Sequence, residues 1–390
     1  MMSVADMGPE GIGRAASEAA AADLRMPREI AGAGIRLAPI DEAVHRLGFE
    51  AYFADPASRF TAGPGDGALA WKRMAMWAGQ WRLLGFGHYA ILDERDHFCG
   101  HIGVWFPIEK PEIELVYGLV PDARGKGIAR RAVELVRDAA DACGIASLVS
   151  YIAPANGASQ NVAAAVGAVH NGNIMLRGVE HQVWRHTIKG RGERAGGPIM
   201  VDSAAMPLMI STERLSLVHW RPDHFEVYAA HEADAEAQQF VGGPEDRSEA
   251  WRILCAKAGQ WALRGTGMYA VEHDGDLVGH VGLYDVVGWP ERELGWHTYR
   301  GHTGKGYARE AAAAVLAVCA EQGLDRLVSH IHPDNAASRA VARALGAAAD
   351  GDVMLPVGPA KRVRHDLSAP RNTVIDRSAT GAPLSAGFAA

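Results

Sequence analysis

The chain has 390 residues, 48% hydrophobic and 22% charged, the composition of ordinary globular domains rather than of a fibrous or low-complexity protein. Its formal net charge of −7 supplies no excess positive field for phosphates, so no nucleic-acid partner is expected. No run of about 18 apolar residues is present to span a bilayer, so no membrane partner is expected either.

Taken in chain order, residues 1–33 are rich in Ala and Gly and carry Asp6, Glu10, Glu18 and Asp23. They lack a basic stretch followed by an apolar one, so they read as a flexible extension rather than a signal peptide. A first domain is expected over 34–188. It contains GQWRLLGFGHYAI (Gly79–Ile91), GHIG (Gly100–Gly103), the pair Glu114–Leu115, GKGIAR (Gly125–Arg130) and LVSYIAPANGAS (Leu148–Ser159). Residues 189–207 are Gly-rich without periodicity and read as a linker. A second domain, 208–368, then repeats the first: GQWALRGTGMYAV (Gly259–Val271), GHVG (Gly279–Gly282), Glu293–Leu294, GKGYAR (Gly304–Arg309) and LVSHIHPDNAAS (Leu327–Ser338). Between 100–168 and 279–347, 28 of 69 gaplessly aligned positions are identical. A period this long marks a duplicated domain, because solenoid units run to roughly 20–50 residues. Residues 369–390 read as a disordered tail.

Within the second repeat, Leu215–Trp220 reads as a strand. Glu245–Arg264 is a helix, with Trp251, Leu254, Ala258 and Trp261 at three- and four-residue spacing. Met268–Val287 is a hairpin turning at Asp274–Asp276, and Glu291–Tyr299 a strand. Gly304–Gly306 opens a long Ala-rich helix that stops at Gly323. Arg326–Ile331 is a strand, and Asn335–Leu345 a helix ending at Gly346. The first repeat follows the same order, which makes each an α/β (α+β) domain with helices interleaved in a mixed sheet.

Two duplicated motifs carry chemistry. The GKG turn places two glycines at a helix start, where free N–H groups and the positive dipole end suit a phosphate, and Lys126 or Lys305 adds charge. The same sequence also makes a tight strand-to-helix turn with no ligand. The second motif is Pro-x-Asn-x-x-Ser: Pro154, Asn156 and Ser159, then Pro333, Asn335 and Ser338. Its Asn suits a helix cap as well as a ligand contact. Neither copy has the GxxxxGK-Ser/Thr of a P-loop, and Arg130 and Arg309 stand where a dinucleotide fingerprint needs Gly or Ala.

Together these residues resemble the GNAT superfamily of acetyl-CoA-dependent N-acetyltransferases, and most closely its ribosomal-protein N-terminal acetyltransferase (RimJ/RimL-like) branch. RGKGIA fits the family's R/Q-x-x-G-x-G/A loop at Arg124, Gly127 and Ala129, while TGKGYA departs at Thr303 and fits at Gly306 and Ala308. The likeness covers about 34–186 and 211–367. It implies two tandem domains, each a mixed, splayed β-sheet flanked by helices, with acetyl-CoA (coenzyme A) as cofactor. The implied cofactor-binding residues are Arg124, Gly125, Lys126, Gly127, Ile128, Ala129 and Asn156, then Gly304, Lys305, Gly306, Tyr307, Ala308 and Asn335. The Asn would reach the pantetheine arm, and the Ser would lie near the thioester.

The acceptor amine must lose a proton before it attacks, and the leaving thiolate needs one. Glu114 and Glu293 are the candidates for the base, and the alternative for each is an exposed strand carboxylate in an ion pair. Neither repeat has an acidic Tyr after the Asn motif, so Ser159 or Ser338 serves as acid, or no dedicated acid exists. His101 and His280 read as satisfied strand histidines. His297, His330 and His332 are not duplicated and have no evident carboxylate partner, so no metal is assigned. Cys99, Cys143, Cys255 and Cys319 form no CxxC and none recurs in the other repeat, which implies free thiols in a reducing, cytoplasmic setting.

The function expected is transfer of an acetyl group to a primary amine, on a protein N-terminus or a small molecule. The alternatives are one catalytic domain beside a degenerate binding module, or a non-catalytic acyl-CoA sensor. The two domains are expected to pair internally as a pseudo-dimer, giving a monomeric particle.

Overall fold

The computed structural model describes residues 25–188 and 206–367, apart from residues 62, 107, 109, 111, 146 and 325. The expected extension up to residue 24, the linker from 189 to 205 and the tail lie outside the described residues. The chain divides into two compact units, Met1–Met200 and Val201–Ala390.

Unit 1 runs β1 (Ile30–Gly32), β2 (Ile35–Pro39), α1 (Glu42–Ala54), α2 (Gly67–Leu84), β3 (His88–Asp93), β4 (Phe98–Trp105), β5 (Glu114–Leu119), α3 (Ile128–Ala142), β6 (Val149–Ile152), α4 (Gly157–Ala165), β7 (Val169–Leu176) and β8 (Val179–Arg185). Unit 2 runs β9 (Met209–Ser211), β10 (Ser216–Val218), α5 (Phe225–Glu232), α6 (Ala235–Gln238), α7 (Arg247–Arg264), β11 (Met268–His273), β12 (Asp276–Tyr284), β13 (Glu293–Thr298), α8 (Tyr307–Glu321), β14 (Val328–Ile331), α9 (Ala336–Ala344), β15 (Ala348–Leu355) and β16 (Gly358–Arg364). Each unit forms one eight-stranded sheet, ordered β1-β2-β3-β4-β5-β6-β8-β7 in the first and β9-β10-β11-β12-β13-β14-β16-β15 in the second.

Neighbouring strands are antiparallel except for β5 with β6 and β13 with β14. Each parallel pair meets at a single register position, Glu114 opposite Val149 and Glu293 opposite Val328. Beyond that point the strands part, so the sheet opens a cleft whose apex lies at the two glutamates. The GHxG strands β4 and β12 hold the antiparallel side of this frame. There a Cβ on Gly100 would sit 2.1 Å from the Gly118 carbonyl oxygen, and one on Gly279 2.2 Å from that of His297. Close approach of neighbouring backbone explains why both copies keep glycine.

In unit 2 the sheet packs on α8, whose Ala311, Ala312, Ala314, Val315 and Leu316 are buried with Leu283 and Leu294. Small side chains let the helix axis lie close to the strands. Because strand side chains alternate, Leu294 faces this core while Glu293, Gly295 and His297 face the opposite side of the sheet. α3 in unit 1 reaches the same end with a stronger stripe, burying Ile128, Ala132, Val133, Val136 and Ala140. Trp71 and Trp81, and their counterparts Trp251 and Trp261, are core residues, and the indoles of Trp81 and Trp261 donate to the carbonyls of His88 and Met268 at 2.8 and 3.0 Å.

The duplication begins earlier than expected. Met26 and Met206 are both buried, and their N–H groups donate to the carbonyls of Gly85 and Gly265. The hydroxyls of Tyr89 and Tyr269 donate to the carbonyls of Pro27 and Pro207, each at 2.6 Å. Residues 25–33 therefore belong to the fold of unit 1, and Met206–Pro207 to that of unit 2, rather than to an extension and a linker. The second-repeat hairpin stops at Tyr284 instead of Val287, because Asp285 turns aside to pair with Arg264 and Arg292. His101 is not a satisfied histidine: neither ring nitrogen has a hydrogen-bond partner, and the ring stacks on Trp77 with centroids 4.3 Å apart. His280 is half satisfied, through Tyr299 Oη at 3.0 Å from its Nδ1.

Candidate active site

Both GKG turns adopt the left-handed backbone that glycine permits, with φ of 72° and 70° at Gly125 and Gly127 and of 77° and 84° at Gly304 and Gly306. Gly127 and Gly306 are the N-caps of α3 and α8, and no side chain caps either helix. A Cβ at Gly125, Gly127 or Gly304 would meet nothing within 4 Å, so these turns face open space. An uncapped helix start in an open turn is a cradle for an anion such as a pyrophosphate. Ile128, Ala129 and Tyr307 are buried and anchor the first helical turn, and Ala308 lines the cleft of unit 2.

The charged residues around the turns differ between the units. Lys126 and Lys305 are exposed. Arg124 is spent on Asp55, at 3.0 Å, and on the Leu119 carbonyl. Its counterpart Thr303 carries no charge, but Arg214 reaches the same turn in unit 2, donating to the Lys305 carbonyl at 3.1 Å and pairing with Glu310.

Asn156 and Asn335 cap α4 and α9, their Oδ1 atoms accepting from the N–H of Ser159 at 3.2 Å and of Ser338 at 3.0 Å. The cap uses the amide oxygen, so the amide nitrogen is the part a ligand would meet. In unit 1 the Tyr117 hydroxyl, on β5, donates to the Ser159 carbonyl at 3.0 Å. It thus spans from one diverging strand to the helix that follows the other. Burial pushes this phenol up to about 12, so it stays a neutral donor.

The two glutamates stand in unlike surroundings. Glu114 is buried and ion-paired with Lys110, whose ammonium also lies over the Tyr151 ring. Among the described residues no Lys or Arg pairs with Glu293. Its Oε2 accepts from Trp289 Nε1 at 2.7 Å and from His330 Nδ1 at 2.9 Å, and its Oε1 from the His330 N–H at 3.2 Å. Unit 2 has a cleft of about 690 Å³ that runs from Gly304 and Gly306 along β13 and β14 to Glu293, with Asn335 and Ser338 on its wall. On the far face of the sheet the cleft meets His231 and His297. Burial holds the His231 imidazole down at about 4, with Lys257 adding to the shift, and burial, Lys257 and His231 lower His297 as well. Both are neutral near pH 7.

In unit 2 the residues named from sequence line one cleft, with Gly304, Gly306, Asn335, Ser338 and Glu293 on its wall; in unit 1, Glu114 stands at the strand divergence and Tyr117 links β5 to Ser159. Four residues were missed, namely Lys110, Tyr117, Trp289 and the pairing role of His330. The signal was there as non-identity. Lys110 aligns with Trp289, Tyr117 with Trp296 and Tyr151 with His330, so the site changes just where its frame is kept. All four cysteines are buried and none forms a disulfide among the described residues. Among the described residues no group of three or more His, Cys, Asp or Glu side chains could hold a metal, and no helix is long and apolar enough to cross a membrane.

Comparison with known proteins agrees with this architecture. The model of the acetyltransferase (GNAT) domain matches residues 35–169 and 214–348. YnaD of Bacillus subtilis (strain 168), an uncharacterized N-acetyltransferase, is 34% identical over 76 residues, which are 19% of this chain and 45% of that protein. The match thus spans under half the length of that relative. The solved acetyltransferase from Agrobacterium tumefaciens str. C58 is 32% identical, covers 40% of this chain and 94% of its own, and has a TM-score of 0.39. Mycobacterium smegmatis RimJ, solved in complex with CoA-disulfide, is 20% identical over 41% of this chain and 88% of its own, with a TM-score of 0.35. With a matched domain in each unit, together covering more than half of the sequence, the chain belongs to the GNAT acetyltransferase family.

Proposed function

We propose that the protein is a cytoplasmic, acetyl-CoA-dependent N-acetyltransferase acting on a primary amine, on a protein N-terminus or a small molecule, and that unit 2 performs the transfer. The observation that carries this reading is a cleft in unit 2 that joins the uncapped glycine turn to the carboxylate of Glu293. When bound, the cofactor supplies an acetyl thioester whose carbon–sulfur bond breaks as the amine nitrogen bonds to carbon. The amides at Gly304–Ala308 hold its phosphates, and Asn335 its arm. Glu293 accepts the proton that the ammonium must lose, directly or through water, from a group whose reference pKa is about 8 for an α-amine or about 10.4 for lysine. Ser338 stands on the cleft wall as donor to the departing sulfur.

A specific contrast favours a division of labour over two equal sites. In unit 1 the Tyr117 hydroxyl bridges to Ser159, and Lys110 neutralises Glu114. A base already paired with an ammonium has little pull on a second one. Unit 1 is therefore read as a cofactor-binding or interaction module. Release of free thiol from acetyl-CoA over a panel of amines tests the reading. Turnover is expected and is lost in unit-2 variants. Acetyl-CoA binding without release for any amine class would instead support a sensor.

A further inference from the structure

The geometry points to His330 as a positioning residue that sets the orientation of Glu293 for proton removal; this rests on the transferase reading of unit 2. His330 lies on β14, next to the apex where β13 and β14 part. Its side chain has no exposed surface, so it meets Glu293 from within the protein rather than meeting a substrate. Two of the three donors to Glu293 come from this one residue, the backbone N–H to Oε1 and the ring Nδ1 to Oε2. A carboxylate only accepts, so the ring proton must be on Nδ1. The other nitrogen, Nε2, has no hydrogen-bond partner and lies 3.9 Å from Glu291 Oε1. Glu291 is itself held by Arg362 at 3.1 Å.

A carboxylate offers about four lone-pair sites, and the Trp289 indole and the two His330 groups fill three. The remaining one is on Oε1, so the pair of His330 contacts selects which lone pair stays open. Unit 1 has the same Glu but Tyr151 in place of His330. There the Tyr151 hydroxyl has no hydrogen-bond partner and Glu114 takes Lys110 instead. The positioning device is thus present in one copy only, the one whose Glu293 borders a cleft with Asn335 and Ser338.

The test uses the full chain with His330→Gln, Glu293→Ala and the double variant. Acetylation kinetics should show kcat lowered at least about tenfold by His330→Gln, with KM for acetyl-CoA unchanged. The double variant should be no slower than Glu293→Ala alone, because His330 acts through Glu293. A wild-type kcat in His330→Gln, or losses that multiply in the double variant, would overturn the inference. Imidazole ¹⁵N spectra give a readout independent of turnover. His330 should carry its proton on Nδ1 in the wild type and lose that preference in Glu293→Ala. A ring protonated on Nε2 alone would overturn the pairing even in an active enzyme. A wild-type chain that acetylates no amine overturns the transferase reading, while the spectra still decide the pairing.

Discussion

Acid should destabilise unit 1 through histidines that the fold keeps neutral, and His101 allows the effect to be isolated. Its ring is fully buried against Trp77, Phe49, Tyr52 and His88, with no hydrogen-bond partner on either nitrogen. Burial holds its folded-state pKa down at about 3, against about 6.5 in the unfolded chain. The sign follows from proton binding. Above pH 6.5 both states are neutral and stability is at its full value. As the pH falls below 6.5 the unfolded chain takes up a proton that the folded chain refuses, so stability drops until the folded pKa is reached. Between pH 7 and pH 5 the ratio of the two binding polynomials gives a loss of about 2 kcal/mol for this one group. His186, held at about 4 by burial and secondarily by Arg137, loses about as much, and burial with His101 as neighbour moves His88 the same way. His101 and His186 together come to about 4 kcal/mol, a large share of the about 5–15 kcal/mol of a typical domain. Urea unfolding of the full chain at pH 7 and pH 5 measures it. His101→Phe keeps an aromatic ring against Trp77 and should shrink the pH 7-to-5 loss by about 2 kcal/mol. An unchanged pH slope in that variant would show that His101 is already hydrated or protonated in the folded state.

Three further outcomes are expected. Acetyl-CoA at about 100 times its Kd should stabilise the chain by about 2.7 kcal/mol. Gly304→Val with Gly306→Val, which put a β-branched residue at φ near +80°, should remove the share owed to unit 2, and a folded double variant with an undiminished thermal shift would place the cofactor elsewhere. Tyr117→Phe deletes the hydroxyl bridge to Ser159 and should cost unit 1 about 1 kcal/mol in urea unfolding; no loss would mean the hydroxyl is solvated instead. Finally, two homologous domains joined in one chain meet at millimolar effective concentration, so the expected internal pairing predicts a particle of monomer mass in small-angle scattering. Two separated lobes, or a stable dimer of chains, would rule out internal pairing.

The frame of the fold was legible because duplication doubled every local signal. Gly323 and Gly346 end helices with positive φ, as their positions predicted, and Asn335 caps the helix that follows it. The terminal hairpins β7–β8 and β15–β16 were not read, since their residues are mostly exposed and polar and lack an apolar alternation. α5 and α6 escaped for a different reason: α5 buries residues around most of its circumference, among them Phe225, Tyr228, His231 and Glu232, so no single stripe shows, and α6 is only four residues long. For the site, identity between repeats found what both units share, which is the turn and the Asn–Ser motif. What separates the units lies in single replacements such as Lys110 for Trp289. A one-dimensional comparison records these as mismatches, because their meaning depends on a glutamate four residues further on and on a strand 37 residues beyond that glutamate.

The claim that unit 2 performs the transfer is tested most directly by acetyl-CoA turnover, at saturating amine and neutral pH, in Glu293→Gln and Glu114→Gln chains that bind the cofactor as the wild type does. A general base contributes about 10²–10⁴-fold, so Glu293→Gln should lose turnover on that scale while Glu114→Gln keeps the wild-type rate. Equal losses in the two variants, or a loss confined to Glu114→Gln, would contradict the account.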